Sequence, residues 1–231
     1  MMRGTLWLLG LLSGIAIAQS SPRQVYETRF QNNVVNVSEI DLPAHATANP
    51  LEAAHDSFWV ALSPANVTFS RQQDKVAVQF EPGDVRFFSS FETKLLANTG
   101  ADDFHGVLVA LKPRALITNG CECESRSGKS VCGCSGGHLD SLWALALGEV
   151  TLAGTSLRPG EGYRSAAVRD DMLVVAVTDV ELDDEARSPE SETSPRRSIH
   201  LKAGEAAWIA GGRHQLKNTG AATARFVTFE F

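Results

Sequence analysis

Leu201–Ala221 reads LKAGEAAWIAGGRHQLKNTGA, and the chain carries a counterpart to it at Phe80–Ala101, FEPGDVRFFSSFETKLLANTGA. Each opens on an apolar residue, passes a Gly-acid pair (Gly83-Asp84, Gly204-Glu205), crosses an apolar run and ends in Asn-Thr-Gly-Ala. A second matched pair lies upstream. Leu42-Pro43 is followed, fourteen residues on from the Leu, by Asp56 and then FWVAL (Phe58–Leu62). Leu157-Arg158-Pro159 is followed, again fourteen residues on, by Asp171 and MLVVAV (Met172–Val177). The halves are offset by 115 residues early and 120 late, so the second half holds an insertion. The polar, charged stretch Glu181–Ser198, ELDDEARSPESETSPRRS, is expected to be a solvated loop that contains it.

Within each half, runs of strand length alternate with Gly, Pro, Asn and Asp turns: VRFF, VLVAL, LWALAL, VTL, LVVAV, AAWIA and RFVTFEF. Nothing downstream of the N-terminal segment sustains a helical period over three turns. This spacing predicts an all-β chain, and two homologous halves of about 95 residues predict two small β-barrels in tandem. Trp59 and Trp208 fall on predicted strands and are expected in the core, whereas His45, His55 and His105 sit beside turns or strand edges and are expected to be solvated.

The first residues read as a secretory signal: Arg3, an apolar run from Leu6 to Ala18, and the small-residue end Ala16-Ile17-Ala18. The run is shorter than the about 20 residues of a membrane span. Cleavage after Ala18 is expected to release a periplasmic or secreted protein with no membrane association, and no cysteine follows that site to carry a lipid. The formal charge is −6, and loss of Arg3 makes it more negative. Such a chain is a poor binder of phosphate backbones, so no nucleic-acid partner is expected.

The two motif pairs resemble those of the cupin family, repeated as in a bicupin. Gly204–Asn218, with His214 and Asn218, is similar to the second cupin motif with one turn residue deleted. Gly83–Asn98 fits the same frame with Lys94 in place of the His. LRPGEGYRSAAVRDDMLVVAV is similar to the first motif, with Asp171 (Asp56 in the first half) at the acidic position. The resemblance implies two tandem jelly-roll barrels: signal 1–18, N-terminal barrel 19–116, a Cys-rich linker hairpin 117–138 and C-terminal barrel 139–231.

The metal ligands of the family do not carry over. The His-x-His positions are Arg164 and Ala166 in the second half and Asn49 and Leu51 in the first, and shifting the frame by one gives Ser165 and Ala167, or Pro50 and Glu52. A transition metal takes three or four imidazole, carboxylate or thiolate ligands, so no bound metal is expected. His214 is then a histidine bonded to its neighbours at the barrel mouth, a residual metal ligand, or an acid–base or ligand-contacting group. If the mouth binds a small molecule, the resemblance implies His214, Asp171, Arg164 and Asn218 as its lining. Arg164 would favour a small anionic ligand, with a polar one as the wider class.

All four cysteines lie in CECESRSGKSVCGC, Cys121–Cys134. Folded as a hairpin about Ser127-Gly128, the segment sets Arg126 against Lys129, Cys123 against Cys132 and Cys121 against Cys134. Export favours disulfides between those pairs. A four-thiolate metal site and redox-active thiols are the other readings, and Cys-x-Cys is tighter than usual zinc spacing. Three functions follow from the sequence: an exported bicupin with decayed metal sites that binds a small molecule or serves a structural role, a cupin isomerase, dioxygenase or lyase using Fe, Mn, Ni or Zn, or a metal-handling protein working through the Cys hairpin.

Overall fold

The computed structural model describes residues 25–49, 56–71, 74–88, 95–112, 124–126, 129–131, 143–147, 150–164, 171–185, 196–212 and 214–231. The expected signal, all four cysteines, His55 and Lys94 lie outside them. The described chain is all β. Its first unit comprises β1 (Tyr26–Gln31), β2 (Val35–Leu42), β3 (Thr47–Ala48), β4 (Ser57–Ala61), β5 (Ala65–Arg71), β6 (Asp74–Phe80), β7 (Val85–Phe88), β8 (Leu95–Asn98) and β9 (Phe104–Leu111). A short antiparallel pair follows, β10 (Glu124–Arg126) and β11 (Lys129–Val131), with Arg126 opposite Lys129. The second unit comprises β12 (Trp143–Leu147), β13 (Val150–Leu157), β14 (Gly162–Arg164), β15 (Met172–Ala176), β16 (Val180–Glu185), β17 (Arg196–Leu201), β18 (Ala206–Ile209), β19 (Gln215–Asn218) and β20 (Ala224–Glu230).

Both units have one topology. A five-stranded sheet, β1-β2-β9-β4-β7, faces a four-stranded sheet, β3-β8-β5-β6; in the second unit the orders are β12-β13-β20-β15-β18 and β14-β19-β16-β17. Strand for strand these are the same, and each is a jelly roll. The register carries the equivalence to single residues. Leu42 pairs with Phe104 as Leu157 pairs with Ala224, and Val67 pairs with Asn98 as Leu182 pairs with Asn218.

The repeated Gly-acid pair closes the same turn twice. Gly83 and Gly204 have φ of 93° and 87°, the left-handed region that glycine adopts without a Cβ penalty. Their amides bond Ala61 O and Ala176 O at 2.8 and 2.9 Å. In each turn the acid caps a backbone amide, Asp84 that of Glu81 at 2.9 Å and Glu205 that of Lys202 at 2.8 Å.

The apolar runs of the five-stranded sheets are uninterrupted because these strands are buried on both faces. On β4, Phe58 and Val60 face a core shared by the two barrels, while Trp59 and Ala61 face the interior of the first. On β15, Leu173 and Val175 face the shared core, and Met172, Val174 and Ala176 the interior of the second. Phe58 and Phe229 meet across the junction with ring centroids 5.4 Å apart. Trp59 is buried in the core as expected, whereas Trp208 is partly buried and packs against the shared core, stacked between Phe30 and Phe231 at 6.1 and 5.4 Å. Each large side chain fully buried in this layer contributes about 1.5–3 kcal/mol.

The expectation of a solvated loop over Glu181–Ser198 is corrected. Glu181–Glu185 lies on β16 and Arg196–Ser198 on β17, and only 186–195 falls between the two strands. β16 alternates: Val180, Leu182 and Asp184 are buried, while Glu181 and Asp183 are not. Two apolar residues among charges give too weak a period to read, and the third inward residue is itself an acid.

Asn98 and Asn218 hold equivalent turns. Asn98 Nδ2 donates to Leu42 O, Pro43 O and Asp102 O at 3.1, 3.3 and 2.8 Å, and Asn98 Oδ1 accepts from Gly100 N at 3.0 Å. Asn218 Nδ2 donates to Leu157 O and Ala222 O at 2.9 and 2.8 Å, and Asn218 Oδ1 accepts from Gly220 N at 2.9 Å. Both are 1–2% exposed, so their removal leaves buried carbonyls without donors. Replacing either by Ala should cost about 2–4 kcal/mol in urea unfolding, by similar amounts in the two barrels. A loss below about 0.5 kcal/mol at either position would contradict this role.

Candidate active site in the C-terminal barrel

The two interiors share an architecture and differ in chemistry. The first is mostly apolar and aromatic, with Trp59, Phe69, Phe80 and Phe104 among its buried side chains, and Tyr26 and Ser38 are the buried polar residues on its inward faces near them. Phe69 lies 4.3 Å from Phe88 and 5.6 Å from Trp59 between ring centroids. In the second interior the register sets polar residues at the equivalent positions: Thr155 for Ile40, Tyr163 for Ala48, Asp184 for Phe69, Thr228 for Leu108 and Glu230 for Ala110.

His214 immediately precedes β19 and is 3% exposed. Its Nδ1 lies 3.0 Å from Asp184 Oδ2 and 3.3 Å from Asp184 Oδ1. Both side chains are nearly sealed from solvent, at 2% and 3% exposure. A carboxylate at Nδ1 selects the tautomer with the proton on that nitrogen and leaves the Nε2 lone pair as an acceptor. Nε2 is buried and has no hydrogen-bond partner among the described residues. An orphaned polar atom in a barrel interior costs about 1–3 kcal/mol.

Leu216 pairs with Asp184 on one side and with Tyr163 on the other, so Tyr163, Leu216 and Asp184 form one inward row across β14, β19 and β16, with His214 in the next. Tyr163 reaches the opposite sheet: its hydroxyl donates to Glu230 Oε1 at 3.1 Å and lies 3.5 Å from Thr228 Oγ1. Burial, reinforced by the Glu230 carboxylate, pushes the Tyr163 phenol up to about 12. Thr155 Oγ1, also buried in this barrel, has no partner among the described residues.

The residues implied by the cupin resemblance separate. His214 is in the interior. Arg164 is not: on β14 Gly162 and Arg164 are exposed and Tyr163 takes the inward position, because side chains alternate along a strand. The fixed positive charge expected at a lost ligand position therefore stands outside the barrel. Asp171 is half-buried, and its Oδ1 accepts from Gly211 N at 2.7 Å, tying two loops. Asn218 lies four residues along from His214, about 13 Å on an extended strand, with its amide committed to the turn described above. A depression of about 470 Å³ opens at that far end, where Asp179 and Lys202 bond each other at 2.7 Å.

Asp184, Tyr163, Thr228 and Glu230 were not visible as site residues from motif matching. The repeat held the signal, since the 115- and 120-residue offsets align each with an apolar counterpart.

The described residues around His214 do not assemble a metal-ligand set. No group of three His, Cys, Asp or Glu side chains that includes His214 has converging ligand atoms among the described residues, and three or four are needed. Among the described residues the group that does converge is Asp41, Asp103 and His105, with atoms within 4.8 Å of one another. There His105 Nδ1 lies 3.4 Å from Asp41 Oδ1, and Asp103 Oδ1 accepts from Ala44 N at 2.9 Å. His105 is 45% exposed, in keeping with the solvated reading, and the contacts tack the turn after β2 to β9.

Tyr163 yields a pH test. Its raised folded value, above about 10 for an unfolded tyrosine, means that the neutral phenol stabilises the fold below pH 10 and that this contribution is lost as pH climbs towards 12. Spectrophotometric titration of the two tyrosines should show a step near pH 12 that Tyr163→Phe removes. A Tyr163 step at about 10 would contradict its buried, carboxylate-facing position.

No family model matches the sequence, and no curated protein matches it. Solved structures do match the fold. AerE from Microcystis aeruginosa aligns with TM-score 0.61 and 8% identity over 89% of this chain and 90% of that one. Vicilin from Capsicum annuum aligns with TM-score 0.62 and 10% identity, over 86% and 76%. An oxalate decarboxylase from Lactobacillus farciminis, in a formate complex, aligns with TM-score 0.58 and 11% identity, over 86% and 77%. At these identities the likeness is one of fold, and it agrees with the two nine-stranded units: the chain is a bicupin by fold.

Proposed function

We propose that the chain is an exported bicupin-like binding protein in which the C-terminal barrel holds a small polar molecule without a metal ion. One observation carries this reading: a buried imidazole, oriented by a buried carboxylate, with its second nitrogen unsatisfied. The aromatic packing of the first barrel supports a division of labour, with that barrel acting as scaffold. The Nδ1–Asp184 contact is also the base-orienting arrangement used in acid–base catalysis. No Ser, Cys or Lys nucleophile is bonded to Nε2 among the described residues, so binding is the favoured reading.

The export signal read in the first eighteen residues fits disulfides in the linker. The β10–β11 register, extended outwards, would set Cys123 opposite Cys132 and Cys121 opposite Cys134, and such rungs would stiffen the join between barrels.

The test combines elemental analysis of the exported protein with thermal shift against small polyols, sugars, amino sugars and sugar acids. His214→Ala would strand a buried carboxylate at about 3–5 kcal/mol, so His214→Gln is the working variant. A ligand at a hundredfold excess over its Kd should raise the wild-type Tm by about 5–10 °C and leave His214→Gln unmoved, with metal far below one ion per chain. Equal stabilisation of both proteins, or one transition-metal ion per chain lost on His214→Gln, would refute the proposal.

A further inference from the structure

We infer that the N-terminal barrel carries a divalent-cation site on its outside, with Asp41, Asp103 and His105 as ligands and a first-row transition ion, Zn2+ foremost, as occupant. One ligand atom from each residue lies within 4.8 Å of the others. Asp41 and His105 are direct partners across β2 and β9. They share the pleat face of Val37 and Val107, which packs into the shared core. They stand where that face reaches solvent, at 23% and 45% side-chain exposure. Asp103 comes from the turn before β9, and its Oδ1 accepts from Ala44 N at 2.9 Å. Asp41 and Asp103 make further contacts, and a carboxylate with about four lone-pair sites can keep such partners while ligating.

Two observations point to an ion. His105 Nδ1 lies 3.4 Å from Asp41 Oδ1, longer than the about 2.7–2.9 Å of a charge-assisted hydrogen bond. That separation matches the edge, about 3.4 Å, of a tetrahedron whose ligands stand about 2.0–2.1 Å from a central zinc. The second observation is the duplicated backbone. Ser63 Oγ accepts from His105 N at 2.9 Å and donates to Asp103 O at 3.4 Å. In the other barrel Thr178 Oγ1 accepts from Arg225 N at 3.0 Å and donates to Thr223 O at 3.5 Å. The register there sets Ser156, Thr223 and Arg225 at the positions of Asp41, Asp103 and His105. The same turn is thus built without a ligand set, so the backbone alone does not call for one. One imidazole and two carboxylates, completed by water, suit Zn2+ or its first-row neighbours, whereas Ca2+ takes six to eight oxygens. Three ligands open to water hold an ion exchangeably, so the chain as purified need carry none, and the metal-free reading of the C-terminal barrel stands apart from this site.

The experiment titrates Zn2+, and separately Ca2+, into the full chain by calorimetry, after dialysis against a chelator and alkylation of any free thiols. The proteins are the wild type, His105→Ala, Asp41→Asn and, as control, His214→Gln. The wild type should bind one Zn2+ per chain, at least tenfold tighter than Ca2+. His105→Ala and Asp41→Asn should each weaken Zn2+ at least tenfold, and His214→Gln should leave it unchanged. His105 is exposed, so its variant carries the test should Asp41→Asn fail to fold. A purely structural role for the three residues would lower the metal-free Tm of the variants and leave Zn2+ affinity alone. No stoichiometric Zn2+ binding by the wild type, or binding that survives His105→Ala, would overturn this inference and leave the reading of the C-terminal barrel intact. Zn2+ binding lost on His214→Gln would overturn both.

Discussion

Double-sided burial of the five-stranded sheets is the constraint on which the molecule depends. Strands β4, β9, β15 and β20 each give one face to a core common to both barrels and the other to their own interior. The shared core fixes how the halves meet: Phe58 packs on Phe229, Arg225 bonds Pro82 O at 3.2 Å, and a Cβ on Gly204 would come within 3.1 Å of Leu62. Apolar burial at this junction stabilises both barrels at once. The inward faces of the four-stranded sheets are then left to fill the interiors, and each barrel does so differently.

The first barrel fills its interior largely with close-packed rings and aliphatic side chains. The second places His214, Asp184, Tyr163, Thr228 and Glu230 there, a choice that costs hydration for every group. Most of that cost is recovered by pairing, His214 with Asp184 and Tyr163 with Glu230. Buried polar pairs gain little over apolar residues of similar size, and the first barrel shows the apolar solution at the positions of Asp184, Thr228 and Glu230. On the proposed reading the polar set serves function more than stability, and Nε2, without a partner among the described residues, is where a ligand would bind.

Much of the fold was legible in the sequence. Strand runs buried on two faces show as continuous apolar segments such as FWVAL and MLVVAV, and the Gly-acid turns and Asn-Thr-Gly-Ala endings repeat in register because each closes the same backbone geometry. Of the candidate site, only His214 was legible. Arg164 was placed inward by a motif frame one residue out of phase with the pleat, which gives that position to Tyr163. Asp184 was hidden because an inward acid breaks the apolar alternation that identifies a strand, so β16 read as solvated. Its role becomes visible only when the repeat is carried through residue by residue and Asp184 meets Phe69.

The most direct measurement of this account is a high-resolution crystal structure of the protein, read at the two equivalent interiors. An ordered polar occupant, water or ligand, within hydrogen-bond distance of His214 Nε2 in the C-terminal barrel, beside a dry, ring-filled N-terminal barrel, is the predicted result. A His214 whose Nε2 packs against apolar side chains with nothing bound, or whose ring turns that nitrogen onto Asp184, would contradict it.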